Sequence, residues 1–314
     1  GFRHSCSETF WQALTKLSTF NEVKFYQQPF KNEQEIFDWL QLSYIPPYLR
    51  EAEWIIEEVL QRKSTPVTIQ TNDIKGIIHS HSHWSDGVYS IEEMAKAAID
   101  LGFEYLVISD HSQSAFYANG LSVERIRQQH KLIDTLNKQL APFVIFKSIE
   151  SDILNDGSLD YEDDILDSFD LVIASIHSNL KMTEEKAMQR LLSAIENPYT
   201  SILGHPTGRL LLSRKGYPVD HVKLIEACAS NNVALELNAH PRRLDIDWRY
   251  IHEAVQKDVL ISIDPDAHDI EGFNDCVYGV KVAQKAGLKA SQNLSSFDLQ
   301  EMMEFITFQQ EKRR

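Results

Sequence analysis

Cysteine is scarce in this chain: Cys6, Cys228 and Cys276 are an odd set with no CxxC pair among them. That excludes a disulfide framework and a thiolate zinc site, and a reducing, cytoplasmic setting is the expectation. Long apolar runs are missing too, with nothing near the ~18 residues of a membrane span, so no membrane partner is expected. The N-terminal GFRHSCSETFWQ has no basic region, apolar block or small-residue cleavage site, which gives export no support. A chain opening on Gly1 rather than Met reads as trimmed. Positive charge is short: 31 Lys and Arg against 46 Asp and Glu leave −15 over 314 residues. Phosphate contacts need Lys and Arg to displace counterions, so a broad basic surface for nucleic acid is excluded. Such a substrate needs a local attraction, and a multinuclear metal centre supplies one by reversing the field of its site. There is also no G-x-S-x-G elbow, no Walker A loop and no G-x-G-x-x-G after a strand, which removes acyl-transfer and nucleotide-cradling readings.

The pattern that is present changes character near residue 70. Residues 1–70 carry apolar residues at helical spacing in ETFWQALTKL, EQEIFDWLQL and LREAEWIIEEVLQR, with YIPPYL breaking the run. They read as a helical appendage. Over 71–314, short apolar strands alternate with amphipathic helices, the signature of βα units around a parallel sheet. The strand candidates are IKGIIH (74–79), EYLVISD (104–110), FVIFKSIE (143–150), DLVIASIH (170–177), SILGH (201–205), VALELNA (233–239) and VLISIDPDAH (259–268). After the first, Ser90 and Glu93 form a capping box and Met94, Ala97, Ala98 and Leu101 an apolar stripe that stops at Gly102. Further helices are expected near 122–139, 183–196, 218–231, 247–257, 278–286 and 297–311. The expectation is an α/β fold, a distorted seven-stranded (β/α) barrel with a small helical N-terminal appendage.

In parallel barrels function gathers at the carboxyl ends of the strands, where the βα loops converge over a packed core. Here His79 and His81 close the first strand, His111 the second, Glu150 the third, His177 the fourth, His205 the fifth, and Asp266 with His268 the seventh. A single histidine at a strand end is usually a hydrogen-bonded structural residue. Half of the chain's 12 histidines falling on matching strand ends is a different matter and points to a metal cluster. Imidazole and carboxylate without thiolate suit Zn, Mn or Fe. Bridging carboxylates hold such ions close together, and the centre makes hydroxide from water near neutral pH for attack at phosphorus.

The strings HSHSHWSDG, ISDHS, SIESDIL, ASIHS, LGHPTGRLL, LNAHPRRLD and DPDAH, in this order and spacing, resemble the polymerase and histidinol phosphatase (PHP) domain. The likeness is narrowest to the PHP domain at the C-terminus of bacterial family X DNA polymerases. It covers about residues 72 to 290, and YIPPYLRE resembles that family's connection from polymerase region to PHP domain. The resemblance implies metal ligation by His79, His81, Asp86, His111, Glu150, His177, His205, Asp266 and His268. It further implies a trinuclear manganese, zinc or iron site bridged by Glu150, and a 3′-5′ exonuclease or related phosphoesterase activity. By spacing alone Asp86, in an SDG turn, could equally start a helix. The sequence departs from the family at His83, where threonine is common, and at His240 and Asp264, where asparagine is common; none of these removes a ligand.

The expected catalyst is therefore a metal-bound hydroxide held by Glu150, His111 and Asp266, with two or three divalent ions (Mn, Zn or Fe). The expected substrate is a phosphate ester or the 3′ end of single-stranded DNA. Arg209 and Arg243, just past strand ends, could grip phosphate in fork geometry or serve as structural ion pairs. Asp110 reads as a support to the ligands. Arg214 and Lys215 form a small basic loop, and Phe116 and Tyr117 could stack on a base or simply pack their loop. Asp245 with Asp247 could pass for a nucleotidyltransferase carboxylate pair, though two acids in a loop are usually just solvated. The rival readings are a small-molecule phosphatase of histidinol-phosphate type and a non-catalytic metal-bound module serving a polymerase. With only about 70 residues before the barrel, a remnant of or linker from a polymerase region is expected rather than DNA polymerisation.

Overall fold

The computed structural model describes every residue, 1–314. Near the N-terminus four helices, α1 (Glu8–Thr15), α2 (Glu22–Gln27), α3 (Glu33–Trp39) and α4 (Trp54–Arg62), surround their own core of Phe10, Leu14, Phe37, Ile45, Leu49 and Ile55. Ser7, Asn21 and Asn32 cap the first three, each accepting from a backbone N–H of the first turn. Sequence spacing missed α2, which is too short to show a period. It also placed the start of the last helix too early: Pro46 and Pro47 lead into a 3-10 turn, and the Arg50 carbonyl is taken by Ser7 N at 2.9 Å.

Arg50 is buried in this unit. Its guanidinium donates to Glu33 at 2.7 Å, Ser5 Oγ at 2.6 Å and the Ile45 carbonyl at 2.8 Å, and lies over the rings of Phe2 and Phe37. Replacing it removes both the packing and the partners of a buried carbonyl. Arg50→Ala is expected to cost about 2–4 kcal/mol, read as a lower urea midpoint; a midpoint within experimental error of wild type would refute this.

From β1 onward the chain runs β1 (Gly76–Ser80), α5 (Ile91–Asp100), β2 (Tyr105–Ile108), α6 (Val123–Leu140), β3 (Val144–Asp152), α7 (Asp163–Leu166), β4 (Leu171–Ser175) and α8 (Glu184–Glu196). It continues with β5 (Ile202–Leu203), α9 (His221–Asn231), β6 (Ala234–Asn238), α10 (Ile251–Gln256), β7 (Ile261–Asp264), α11 (Cys276–Lys285) and α12 (Leu299–Lys312). All seven expected strands are present, parallel and in sequential order β1 to β7. The barrel closes through a single bridge between Ser80 and Ala267, where His81 N donates to the Ala267 carbonyl at 2.8 Å. Five strands end earlier than expected, β2, β4 and β6 by one or two residues and β5 and β7 at identifiable breaks. Gly204 and Pro206 bracket His205 and stop β5, and Pro265 stops β7, because proline brings no ladder donor. The one-turn α7 was not anticipated.

Alternation along the strands sorts the layers. Ile78, Tyr105, Val107, Phe146, Leu171 and Ile173 fill the barrel interior, which Leu294, Met302 and Ile306 plug at the end where the strands begin. Their neighbours Ile77, Leu106, Ile108, Ile145, Val172 and Ala174 pack outward against the helices. On β3 the inward series continues past Phe146 to Ser148, Glu150 and Asp152, and on β6 it runs Ala234, Glu236, Asn238. The interior thus changes from apolar to ionisable on approaching the carboxyl ends.

Candidate metal centre

Glu150 is fully buried at the inward position of β3, and five imidazoles converge on it. Its Oε1 lies 2.9 Å from His205 Nε2, 3.1 Å from His177 Nε2 and 3.3 Å from His79 Nε2. Its Oε2 lies 3.0 Å from His111 Nδ1 and 3.5 Å from His81 Nε2. Asp266 adds a second focus, with Oδ1 at 3.1 Å from His81 Nε2 and 3.5 Å from His79 Nε2. Asp86 makes a third at the rim, 3.3 Å from His268 Nε2 and 3.6 Å from His111 Nε2.

The ligand candidates fall into three overlapping groups whose donor atoms span no more than 4.8 Å: His81, Asp86, His111 and His268; His79, His81 and Asp266; His111, Glu150 and His177; a fourth, His79 with Glu236 and Asp264, lies behind the His79 ring. His205 joins through Glu150. The structure therefore brings every ligand candidate of the sequence to one mouth of the barrel.

Two of these residues sit in left-handed backbone, His79 at φ 60° and Asp266 at φ 52°. Alternation from the inward Ile78 would send His79 outward, but the ladder shifts register between Ile77 and Ser80 and re-aims its ring into the mouth. Such a conformation costs on the order of 1–3 kcal/mol in a non-glycine residue and persists where the surroundings over-determine it. The SDG turn that carries Asp86 depends on Gly87: a Cβ there would lie 2.1 Å from the His81 carbonyl oxygen.

The rings are held from behind. His79 Nδ1 donates to Glu236, and His177 Nδ1 to Asp152, which leaves each Nε2 facing Glu150. His268 Nδ1 donates to the Asp266 carbonyl at 3.0 Å. Carboxylate and carbonyl partners of this kind set the tautomer and aim of a metal-binding histidine. Asp110 supports the turn that leads to Asp86: it accepts from Ser82 N at 2.8 Å, Ser85 Oγ at 2.6 Å and Gln129 Nε2 at 2.6 Å. Asn238 Nδ2 donates to Asp266 Oδ2 at 3.0 Å.

Glu236 and Asp152 were not singled out from the sequence. A signal existed, since a glutamate inside VALELN and an aspartate after Glu150 both fall on the inward alternation of strands otherwise apolar at those positions. Behind Glu236, Asp264 is driven well above the usual carboxylate range by burial and by the Glu236 charge.

Arg209 does not reach for a ligand. It pairs with Asp247 at 2.9 Å, donates to the Arg243 carbonyl at 3.0 Å and to the Leu244 carbonyl, and so secures the loop after β6. The phosphate-gripping expectation for Arg209 is corrected accordingly, because its donors are spent on that loop. Arg243, on the same loop, lies with Nε 3.3 Å from Asp266 Oδ2, at the edge of the cluster. Asp247 is taken by Arg209 and Arg249, and buried Asp245 accepts from Thr207 N at 3.0 Å, so the two do not form a carboxylate pair.

The donor set fits divalent cations. His79 Nε2, His81 Nδ1, His111 Nδ1, His205 Nδ1 and Glu150 Oε2 are all buried without an aligned hydrogen-bond partner, an arrangement too costly to keep without another purpose. Electrostatics agree. Burial works against ionised Glu150, yet His177, His79 and His111 hold it well below the usual carboxylate range. Burial likewise opposes charge on His177 and His268, but Glu150 and Asp152 raise the first to about 10, and Asp86 and Asp266 raise the second to about 9. His81, by contrast, is pushed down to about 3 by burial and by the His111 and His268 beside it. The carboxylates thus demand positive charge, and protons on histidine supply it when metal does not. Because His177 and His268 are raised, both are protonated at pH 7 and must release their protons to ligate. Metal affinity is therefore expected to fall as pH drops below about 9, roughly tenfold per unit for each proton displaced. Titration calorimetry of Zn²⁺ in buffers of different ionisation enthalpy checks this, and an absence of proton release at pH 7 would sink it.

Comparison with known proteins gives a consistent picture. The PHP domain model matches residues 78–240. The chain is 43% identical over 277 residues to a Bacillus subtilis protein named DNA polymerase/3′-5′ exonuclease PolX, a match covering 88% of this chain and 48% of that protein, so the chain spans about half the length of this relative. It is 26% identical over 256 residues to a protein of Thermoanaerobacter sp. named as a probable phosphatase, covering 75% of this chain and 94% of that one. Among solved structures, histidinol phosphate phosphatase from Lactococcus lactis, crystallised with zinc, L-histidinol and phosphate, shares the fold at TM-score 0.52 and 21% identity over 68% of this chain. The matched segment runs from β1 into the loop after β6, covers more than half of the chain and contains most of the converging ligands: this chain belongs to the PHP domain family.

Proposed function

We propose that the chain hydrolyses phosphate esters at three divalent ions of manganese, zinc or iron, and that it acts on DNA 3′ ends as a 3′-5′ exonuclease. The observation carrying this reading is the overlap of the three donor groups through His81 and His111 around Glu150, with buried nitrogens left without partners. His79, His81 and Asp266 would hold one ion, His111, Glu150, His177 and His205 another, and Asp86 with His268 a third at the rim. Bound there, the ions would supply activation of water near neutral pH and charge stabilisation at phosphorus. Arg243 is free to turn its guanidinium toward a phosphate oxygen while Nε stays on Asp266. Glu236 and Asp152 hold the rings of His79 and His177 against rotation.

The test is hydrolysis of a 5′-labelled single strand and of a chromogenic phosphodiester by the Mn²⁺-loaded protein, beside Asp266→Asn. The variant is expected to be at least ~10³-fold slower. Equal inertness of both folded proteins would leave a non-catalytic metal module. Turnover of small phosphomonoesters alone would favour a small-molecule phosphatase, in keeping with the phosphatase-named relative. A quieter test is Asp152→Asn, which is expected to weaken metal affinity by about 10–100-fold without unfolding the barrel; unchanged metal content on dialysis would count against the supporting role.

A further inference from the structure

We infer that Phe116 and Tyr117 are a stacking platform for the base of the nucleotide whose phosphate enters the metal centre. The ester taken is then a nucleotide ester rather than an aliphatic phosphate, an inference that rests on the phosphoesterase reading. These are the two most exposed aromatic side chains of the chain, at 88% and 73%. They are adjacent in the loop after β2, at the very mouth of the barrel: the Tyr117 ring centroid is 6.4 Å from that of His111. The phenol of Tyr117 lies in the field of Asp152, Glu150 and Asp86, and in that of Arg243.

Slack in the loop does not explain their exposure. Leu121 N donates to the His111 carbonyl at 2.9 Å and closes the loop at its base. Ser114 is tied twice, by N to Asp160 Oδ2 at 2.6 Å and by Oγ to Asp152 Oδ2 at 2.9 Å. Ala115 and Ala118 are buried, and Gly120 packs so closely that a Cβ would lie 1.8 Å from the Ser112 carbonyl oxygen. Two apolar rings are thus held out into solvent by a fixed scaffold tied to Asp152, the carboxylate that aims His177. Rings preorganised beside a phosphate site suit a flat, π-faced group about one sugar away from the phosphorus, and a nucleobase is such a group.

The far rim supplies what the rest of a nucleotide chain would need. The loop from Leu210 to Arg214 folds back on itself as a short hairpin, and Leu211 N joins it to the Arg242 carbonyl at 2.6 Å. This gathers exposed Arg242 and Arg214, the latter with Nε and Nη2 on the Gly208 carbonyl, near Arg243, and exposed Lys215 follows Arg214 in the chain, a local concentration of positive charge in a chain of net charge −15. Phosphates flanking the bound nucleotide would meet cations there.

The experiment uses the Mn²⁺-loaded chain and the variants Phe116→Ala, Tyr117→Ala, the double variant and Tyr117→Phe. Calorimetric binding of thymidine 5′-monophosphate and of glycerol phosphate is compared, together with KM and kcat for the p-nitrophenyl esters of thymidine 5′-phosphate and of methyl phosphate. The thymidine ligand is expected to bind more tightly than glycerol phosphate. The double variant should lose roughly tenfold or more of that affinity, leave glycerol phosphate within about twofold, and raise KM for the thymidine ester with little change in kcat. Tyr117→Phe should keep the preference. Equal binding of the two phosphates by wild type, or equal or no loss of both in the double variant, overturns the inference, including in favour of a protein-docking role for the rings. If no ester is hydrolysed while base-dependent binding behaves as expected, the hydrolytic reading falls and the platform stands. Turnover without base dependence has the opposite meaning.

Discussion

Glu150→Gln is expected to abolish activity, lowering kcat/KM by at least ~10³-fold, and to strip the protein of most of its bound metal. The side chain is fully buried, with imidazoles of His79, His81, His111, His177 and His205 all within 3.5 Å of its two oxygens. An amide keeps the volume but loses the charge and turns one acceptor into a donor, aimed at nitrogens that need an acceptor or a cation. The ring cluster would then lose the carboxylate at its centre, leaving Asp266 and Asp86 at its edges to offset the rings' charge, and ligation in the His111, Glu150 and His177 group would be lost together with the anchor of His205. Because the change is isosteric and the apolar layer below is untouched, the fold should survive. The measurements are metal content by mass spectrometry, turnover of a chromogenic phosphodiester and far-UV circular dichroism. A folded variant with wild-type metal content and activity within tenfold would remove Glu150 from the centre of the site.

The contrast with Asp152→Asn follows from position. Asp152 lies two residues beyond Glu150 on the same inward face of β3 and touches the ring of His177 from behind. Its loss should loosen one ligand and leave the charge of the cluster largely in place, so a graded effect on affinity is expected where Glu150 gives a collapse.

Much of this was legible in the sequence because the barrel repeats one local rule seven times. Apolar runs such as EYLVI and DLVIAS announce strands, and the residue that closes each run lies over the mouth whatever the exact strand length. Strand limits were less legible, since Pro206 and Pro265 end ladders that hydrophobicity alone would extend. The supports were missed for a different reason. Glu236 and Asp152 matter through what they touch across the barrel, and a single sequence carries alternation but not cross-barrel distance. Arg209 shows the converse error: an arginine past a strand end looks free until its partners, Asp247 and two carbonyls, are brought beside it by the loop after β6. The N-terminal helices were harder still, because short segments such as Glu22–Gln27 owe their helicity to a cap and to aromatic packing rather than to a visible period.

Metal removal should be as telling as any substitution. Exhaustive chelation is expected to abolish hydrolysis and to lower the melting temperature by about 10 °C, both restored by reloading. A ligand that binds only the folded state at 100 times its dissociation constant adds about 2.7 kcal/mol. Two or three such ions give at least ~5 kcal/mol, and each kcal/mol moves the melting point of a chain this size by about 2 °C. The protein should nonetheless remain folded when stripped. His177 and His268, raised to about 10 and about 9 by the neighbouring carboxylates, take up protons at neutral pH and offset part of the carboxylate repulsion that the lost cations had masked. That compensation fades as pH rises through those values, so the gap between loaded and stripped melting temperatures should widen from pH 7 to pH 10. A gap that is absent, or that narrows over this range, would mean that the converging carboxylates are not held together by metal.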